Sequence, residues 1–157
     1  MAGNEGRMSA SEIGTVAVAC DHAGLPIKDE GLQSLRELGV AHEDMGVTDA
    51  TTSVDYPDYA HRVASSVADG KHRIGVLVCG SGVGMSITAN KPRGIRAVVG
   101  SEPSSAAMAR RHNDANVLCM GARVVGPGLA ETILEAFLGG AFEGGRHERR
   151  VSKIEPA

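Results

Sequence analysis

One stretch of the chain runs a nucleophilic side chain directly into a candidate anion-binding loop: Cys79-Gly80-Ser81-Gly82-Val83-Gly84. Alternating glycines let successive backbone N–H groups turn to one side, and a helix starting just beyond adds the positive end of its dipole. Such a nest suits a phosphate or an enolate oxygen. Cys79 stands where a predicted strand passes into the loop, beside a helix N-terminus that favours thiolate. Two familiar motifs do not fit. The spacing G-x-G-x-G is not a dinucleotide fingerprint, and it follows the third predicted strand instead of the first. Nor is it the hydrolase elbow G-x-S-x-G, because Cys79, not glycine, stands two residues before Ser81. Glycine turns after strands are common, so the loop alone does not name a ligand.

Other reactive side chains cluster in two short runs, Cys20-Asp21-His22-Ala23-Gly24 and Arg111-His112-Asn113-Asp114. Arg123, Arg146 and Arg150 supply guanidinium forks that suit phosphate oxygens, and the last two are spaced to share one helical face. Taken alone, a basic tail is usually plain solvated surface. Cys20, His22 and Cys79 are the residues that could converge on a metal, but no pair has C-x-x-C or H-x-x-x-H form, so no metal is expected. Cys79 with His112 has the residue types of a Cys–His hydrolase, a reading that leaves the arginines without a task. Cys119, inside a strand pattern, and Cys20 read as small buried hydrophobes. His42, His61 and His72 read as surface residues.

The elements that must position these residues follow from periodicity. Residues 15–19, 74–78, 95–99 and 116–120 are short β-rich runs, with a weaker strand at 41–45. Between them lie helical patterns: one from Pro26 with Ile27, Leu32, Leu35 and Leu38 up to Gly39, and one from Pro57 with Ala60, Val63, Ala64 and Val67. A third opens near Ser101-Glu102-Pro103, and a fourth carries Leu129, Ile133, Leu134 and Phe137 before Gly139-Gly140. Strands alternating with helices at this spacing imply a doubly wound, Rossmann-like α/β domain of about five parallel strands with helices on both faces. Ligands then bind beyond the carboxyl ends of the strands, where the Cys20 and Cys79 loops fall. The expected organisation is a disordered leader at 1–12, the α/β domain at 13–140 and a polar C-terminal tail at 141–157.

Composition narrows the classes. A chain of 157 residues, 42% hydrophobic and 22% charged, suits one globular domain with a core of Val, Ile, Leu and Ala, since aromatics are only 3%. A formal charge of −3 argues against a nucleic-acid binder. Three cysteines fit free thiols in a reducing cytosol, the expected location. No apolar run approaches the roughly 18–20 residues of a membrane span, and residues 1–12 lack the apolar stretch of a signal peptide.

In this order the motifs resemble the ribose-5-phosphate isomerase B family, which also contains the galactose-6-phosphate isomerase subunits. The resemblance runs over residues 15–151. It rests on Ala19-Cys20-Asp21-His22-Ala23-Gly24, Asp55-Tyr56-Pro57, Cys79-Gly80-Ser81-Gly82-Val83-Gly84, Ala89-Asn90-Lys91, Gly94-Ile95-Arg96-Ala97, Arg111-His112-Asn113-Asp114, Gly121-Ala122-Arg123-Val124-Val125-Gly126 and Glu143-Gly144-Gly145-Arg146-His147.

What the resemblance implies is an aldose–ketose isomerase without metal, nucleotide or other cofactor, with D-ribose 5-phosphate and D-ribulose 5-phosphate as the expected pair. By resemblance, Cys79 is the base that shuttles a proton between C1 and C2. Ser81 stands at a hydroxyl position more often Thr, and the amides of Gly80, Ser81, Gly82, Val83 and Gly84 form the anion hole for the enediolate. His112 is assigned to ring opening, with Asp21 assisting. His22, Asn113, Arg123, Arg146 and Arg150 are assigned to substrate and phosphate. One branch of the family lacks the cysteine and uses a Glu six positions later. Met85 holds that place here, which puts the chain in the cysteine branch. The family forms homodimers with composite sites, so the tail arginines are expected to pack at a dimer interface and serve the neighbouring subunit. A tetramer is the larger alternative. A tetrose 4-phosphate, galactose 6-phosphate or allose 6-phosphate remains open as substrate, as does a non-catalytic nucleotide-binding module.

Overall fold

The computed structural model describes residues 7–156. Five parallel strands, β1 (Val16–Cys20), β2 (His42–Asp44), β3 (Ile74–Cys79), β4 (Ala97–Val99) and β5 (Val117–Gly121), form one sheet in the order β2-β1-β3-β5-β4. The helices are α1 (Ala10–Ile13), α2 (Leu25–Glu37), α3 (Tyr56–Ala68), α4 (Val83–Ala89), α5 (Pro103–Asn113), α6 (Pro127–Gly139) and α7 (Arg146–Val151). The α/β reading of the sequence is the observed fold, with helices on both faces.

Every residue of β1, β3 and β5 is buried. That is why these runs are apolar throughout instead of alternating. One face packs on α2, α5 and α6 through Val18, Val76, Leu35, Leu118 and Phe137. The other packs on α3 and α4 through Ala19, Val63, Leu77, Met85 and Cys119. Among the described residues, no helix is long and apolar enough to cross a membrane.

The connections after β1 and β3 leave in opposite directions, to β2 on one side and β4 on the other. This reversal opens a crevice at the carboxyl ends of two adjacent strands. Gly24 seals its floor: a Cβ there would lie 2.3 Å from the Val78 carbonyl oxygen, so only glycine lets the start of α2 approach β3.

Four features differ from the sequence reading. β4 is shorter than the expected 95–99, because side-chain amides replace ladder bonds at its start. Asn90 Nδ2 donates to Ala97 O at 2.9 Å, Asn90 Oδ1 accepts from Ala97 N at 2.8 Å, and Asn116 Oδ1 accepts from Arg96 N at 2.8 Å. His72 is buried, not surface, because the chain turns back after α3 and brings its ring to the Ser66 hydroxyl and to Glu43, 2.8 Å away.

The leader expected to be disordered is structured from Arg7 onward. Arg7 bridges to Gly140, a capping box joins Ser9 and Glu12, and Ile13 is buried. Residues 1–6 lie outside the described ones. The tail, too, is partly packed: α7 sets its buried His147 against α5, and Glu155 accepts a bond from Gly94 N at 3.1 Å.

Candidate active site

Cys79 is the last residue of β3 and is 4% exposed. Its Sγ accepts a hydrogen bond from Gly82 N–H at 3.1 Å. An amide aimed at the sulfur suits a thiolate, which only accepts, better than a thiol. The geometry depends on glycine twice. Gly82 is in the left-handed region at φ 82°, and Gly121 lies so close beneath the loop that a Cβ would sit 2.6 Å from the Ser81 carbonyl. The loops after β3 and β5 are tied by Ala122 N–H to Cys79 O (2.8 Å) and Arg123 N–H to Gly80 O (3.0 Å). They also bring the Arg123 guanidinium over Gly80, where a Cβ would lie 3.5 Å from Nη1. Ser81 is exposed, and its Oγ accepts from Val83 N–H at 3.3 Å. Two of the five loop amides are thus already directed at side chains of the site itself.

On the neighbouring strand, Cys20 pairs in register with Val78, which sets Asp21 beside the end of β3. Asp21 is 6% exposed, and its Oδ1 accepts from the N–H groups of Ala23 and Gly24, each at 3.0 Å. One carboxylate oxygen is therefore occupied in shaping the entry to α2. His22 accepts from Val54 N–H through Nδ1 at 3.1 Å, which puts the ring proton of the neutral form on Nε2. Tyr56, whose motif the sequence displays without a role, leans its ring on Gly84, where a Cβ would lie 2.5 Å from the ring. It walls one side of the glycine loop.

The three cysteines are not equivalent. Burial pushes the Cys20 thiol up to about 11 and drives Cys119 still higher, so neither ionises at neutral pH. Cys20 also faces the α2 and α6 side of the sheet while Cys79 faces α3 and α4. The trio Cys20, His22 and Cys79 is therefore split and cannot gather a metal.

His112, Asn113, Arg146 and Arg150 lie elsewhere. α5 starts beyond the carboxyl end of β4 and runs back, so its last residues reach the opposite edge of the sheet. There Arg96, just before β4, donates to Asn113 O at 3.0 Å and to Asp114 O at 3.1 Å. α7 packs on this end of α5. The His112 and His147 rings stack at 4.2 Å with planes 6° apart, and Glu143 Oε2 stands 3.6 and 3.7 Å from their Nε2 atoms. Arg111 holds the other Glu143 oxygen at 2.6–2.7 Å and, chiefly through that hydrogen bond, keeps the carboxyl below its usual range. Desolvation first, then the positive charges of His112 and Arg146, lower the His147 value. Arg146 and Arg150 are exposed on α7.

The site residues therefore form two groups. Asp21, His22, Cys79, the Gly80–Gly84 loop and Arg123 meet at the carboxyl edge; His112, Asn113, Arg146 and Arg150 gather at the amino edge. Within one chain Cys79 and His112 make no dyad, which removes the Cys–His hydrolase reading for a single subunit. Glu143, Arg111 and His147 carry no role in the sequence reading. The i, i+4 spacing of Glu143 and His147 is the one local signal for them.

The fold and the crevice define an α/β enzyme with a thiol beneath an amide loop at the switch point of a parallel sheet. The chain belongs to the family described as Ribose/Galactose Isomerase, which it matches over residues 16–154. It is 52% identical over 139 residues to ribose-5-phosphate isomerase B of Escherichia coli, covering 88% of this chain and 93% of that protein. Identity to D-erythrulose-4-phosphate isomerase of Pectobacterium atrosepticum is 40% over 140 residues, covering 89% and 92%. The crystal structure of Mycoplasma genitalium ribose-5-phosphate isomerase B with bound ribulose-5-phosphate superposes with a TM-score of 0.85 at 38% identity, covering 89% and 93%. The chain is a sugar-phosphate isomerase of this family.

Proposed function

We propose that the chain interconverts D-ribose 5-phosphate and D-ribulose 5-phosphate through an enediolate, with Cys79 as the base. The observation that carries this reading is the Gly82 amide on Cys79 Sγ, in the crevice at the switch point of the sheet. The thiolate takes the proton from C2 of the open-chain aldose. The electron pair forms the C1–C2 double bond and places charge on the carbonyl oxygen O1. The proton of the C2 hydroxyl passes to O1, and the thiol returns its proton to C1 as the C2 carbonyl forms, to leave the ketose. Ser81 Oγ and loop N–H groups face the oxygens on which negative charge develops, and losing one such donor typically costs about 3–4 kcal/mol. Met85 is fully buried against the α3 and α4 core and offers no alternative base.

The same reading makes the active unit a homodimer. His112 opens the sugar ring and Arg146 and Arg150 hold the phosphate, yet these residues stand a strand's length from Cys79 in their own chain. β3 has six residues, so the two edges are about 20 Å apart. A second copy that brings its amino-edge group to the first copy's crevice supplies both halves at once. A tetrose 4-phosphate is the second reading, favoured by the 40% identity to the erythrulose-4-phosphate enzyme.

The test is ketose phosphate formation in the presence of a chelator, across four-, five- and six-carbon aldose phosphates. The expected result is the highest kcat/KM for ribose 5-phosphate. A higher value for erythrose 4-phosphate transfers the assignment to the tetrose, and no turnover of any aldose phosphate removes it.

A further inference from the structure

We propose that His112, Glu143 and His147 form a binding site for one divalent transition-metal ion of the zinc type, and that this ion competes with sugar phosphate. The competition rests on the function proposed above; the ion site does not.

The three side chains offer two imidazole nitrogens and one carboxylate oxygen, the ligand set of an open three-ligand zinc centre. His112 Nε2 and His147 Nε2 lie 3.6 and 3.7 Å from the same oxygen, Glu143 Oε2, and all three donor atoms fall within 4.8 Å of one another. Metal–ligand bonds of about 2.0–2.1 Å meeting at a tetrahedral angle set donor atoms about 3.3 Å apart. The two separations from Glu143 Oε2 are within about 0.4 Å of that spacing. They also exceed hydrogen-bond length, so the donors converge without satisfying one another.

The scaffold holds this arrangement before any ion arrives. Both Nε2 atoms approach one oxygen, and rotation of the stacked rings about their Cβ–Cγ bonds, out of their present 6° alignment, aims both lone pairs at one ion. His147 is buried at the start of α7, His112 is in the last turn of α5, and Glu143 N–H donates to Arg111 O at 3.0 Å, tying the two segments. Arg111 occupies Glu143 Oε1 and leaves Oε2 facing the imidazoles, the kind of outer contact that orients a ligating carboxylate. Arg146 and Arg150 flank the cluster on the same short helix and oppose a cation, so the ion exchanges and is not a permanent part of the fold. An ion on His112 takes the lone pair that ring opening needs and sits beside the arginines assigned to phosphate.

The experiment titrates the metal-free, full-length protein with Co2+, read by its ligand-field absorption, and then displaces it with Zn2+. The expected result is one ion per chain, without a thiolate charge-transfer band and undiminished in Cys79→Ser. Affinity should fall at least about tenfold in Glu143→Gln and in His147→Asn, each checked by circular dichroism. Should His147→Asn not fold, the exposed Glu143→Gln carries the test. Absence of saturable binding, loss of it in Cys79→Ser, or wild-type affinity in Glu143→Gln overturns the site. Saturating ribose 5-phosphate should weaken Co2+ binding, and unchanged affinity overturns the competition. Because the titration needs no turnover, failure of the isomerase reading would show separately in the metal-free assay.

Discussion

Cys79 ends β3 at one edge of the sheet, and His112 lies in the last turn of α5 at the other. Both are required by the proposed reaction, and no side-chain rotation joins them within a chain. A mixture of two inactive variants tests this directly. In the proposed homodimer, Cys79→Ala and His112→Ala each should destroy both sites of their own dimer. In a mixed dimer one site inherits both lesions and the other inherits neither. Random reassociation makes half the dimers mixed, so about a quarter of wild-type kcat should return. Recovery that never rises above the single variants, after exchange is verified by mass, would place both functions within one subunit.

How much of this was legible beforehand differs by residue. Residues 15–19, 74–78 and 116–120 read as strands because both of their faces are buried, leaving β-branched and small apolar residues unbroken. β4 is an edge strand: Asn90 bonds Ala97 at its start and Asn116 bonds Arg96 just before it, and amide side chains carry no periodic signal. Cys79 stood out because a nucleophile beside alternating glycines is a local pattern. The separation of His112 from Cys79 is not local. It follows from the direction of α5, which only the topology sets. Glu143, Arg111 and His147 meet across a helix–helix contact between α5 and α7, invisible to spacing apart from the i, i+4 pair.

Gly121 shapes the glycine loop from beneath. A methyl group there lies 2.6 Å from the Ser81 carbonyl carbon and oxygen, and these backbone atoms cannot rotate away. Gly121→Ala should push the loop off β5, misaligning the Gly82 amide, and cost about 1–3 kcal/mol of stability. Thermal unfolding and kcat should both fall. Gly128→Ala is the control, since its Cβ meets nothing within 4 Å in an exposed helix and should leave both unchanged or slightly raise stability. Normal turnover in Gly121→Ala would show that the loop has room the packing denies it.

Glu102 gives the fold a measurable acid dependence. It caps α5, accepting from the N–H groups of Ser104 and Ser105 at 2.7 Å each, and the Ser105 hydrogen bonds hold its carboxyl below the usual range. A carboxyl depressed in the folded state stabilises above its unfolded value and loses that contribution as pH falls through the folded one. Glu102→Gln should therefore melt lower than wild type at neutral pH. The difference should shrink as pH falls below the ordinary glutamate range and vanish once pH passes below the lowered folded value. A gap that stays constant over that window would assign the effect to shape and not to charge.

The cysteines give the sharpest test of the chemistry. Cys20 and Cys119 are fully buried within the sheet, with thiols raised by desolvation, whereas Cys79 closes β3 under a hydrogen-bonding amide at the crevice. Iodoacetamide on the native protein should therefore modify Cys79 alone, as peptide mass mapping would show. Inactivation should track that modification, and ribose 5-phosphate should slow it. Cys79→Ala removes the proposed base but leaves the loop, Arg123 and α7 in place. It should retain sugar-phosphate binding by calorimetry while kcat falls by several orders of magnitude, since Met85 supplies no carboxylate. Equal labelling of Cys20 or Cys119 would mean that the sheet opens in solution. Near-normal turnover by Cys79→Ala would pass the proton transfer to another group, and Asp21, the buried carboxylate beside the end of β3, would be the next to replace.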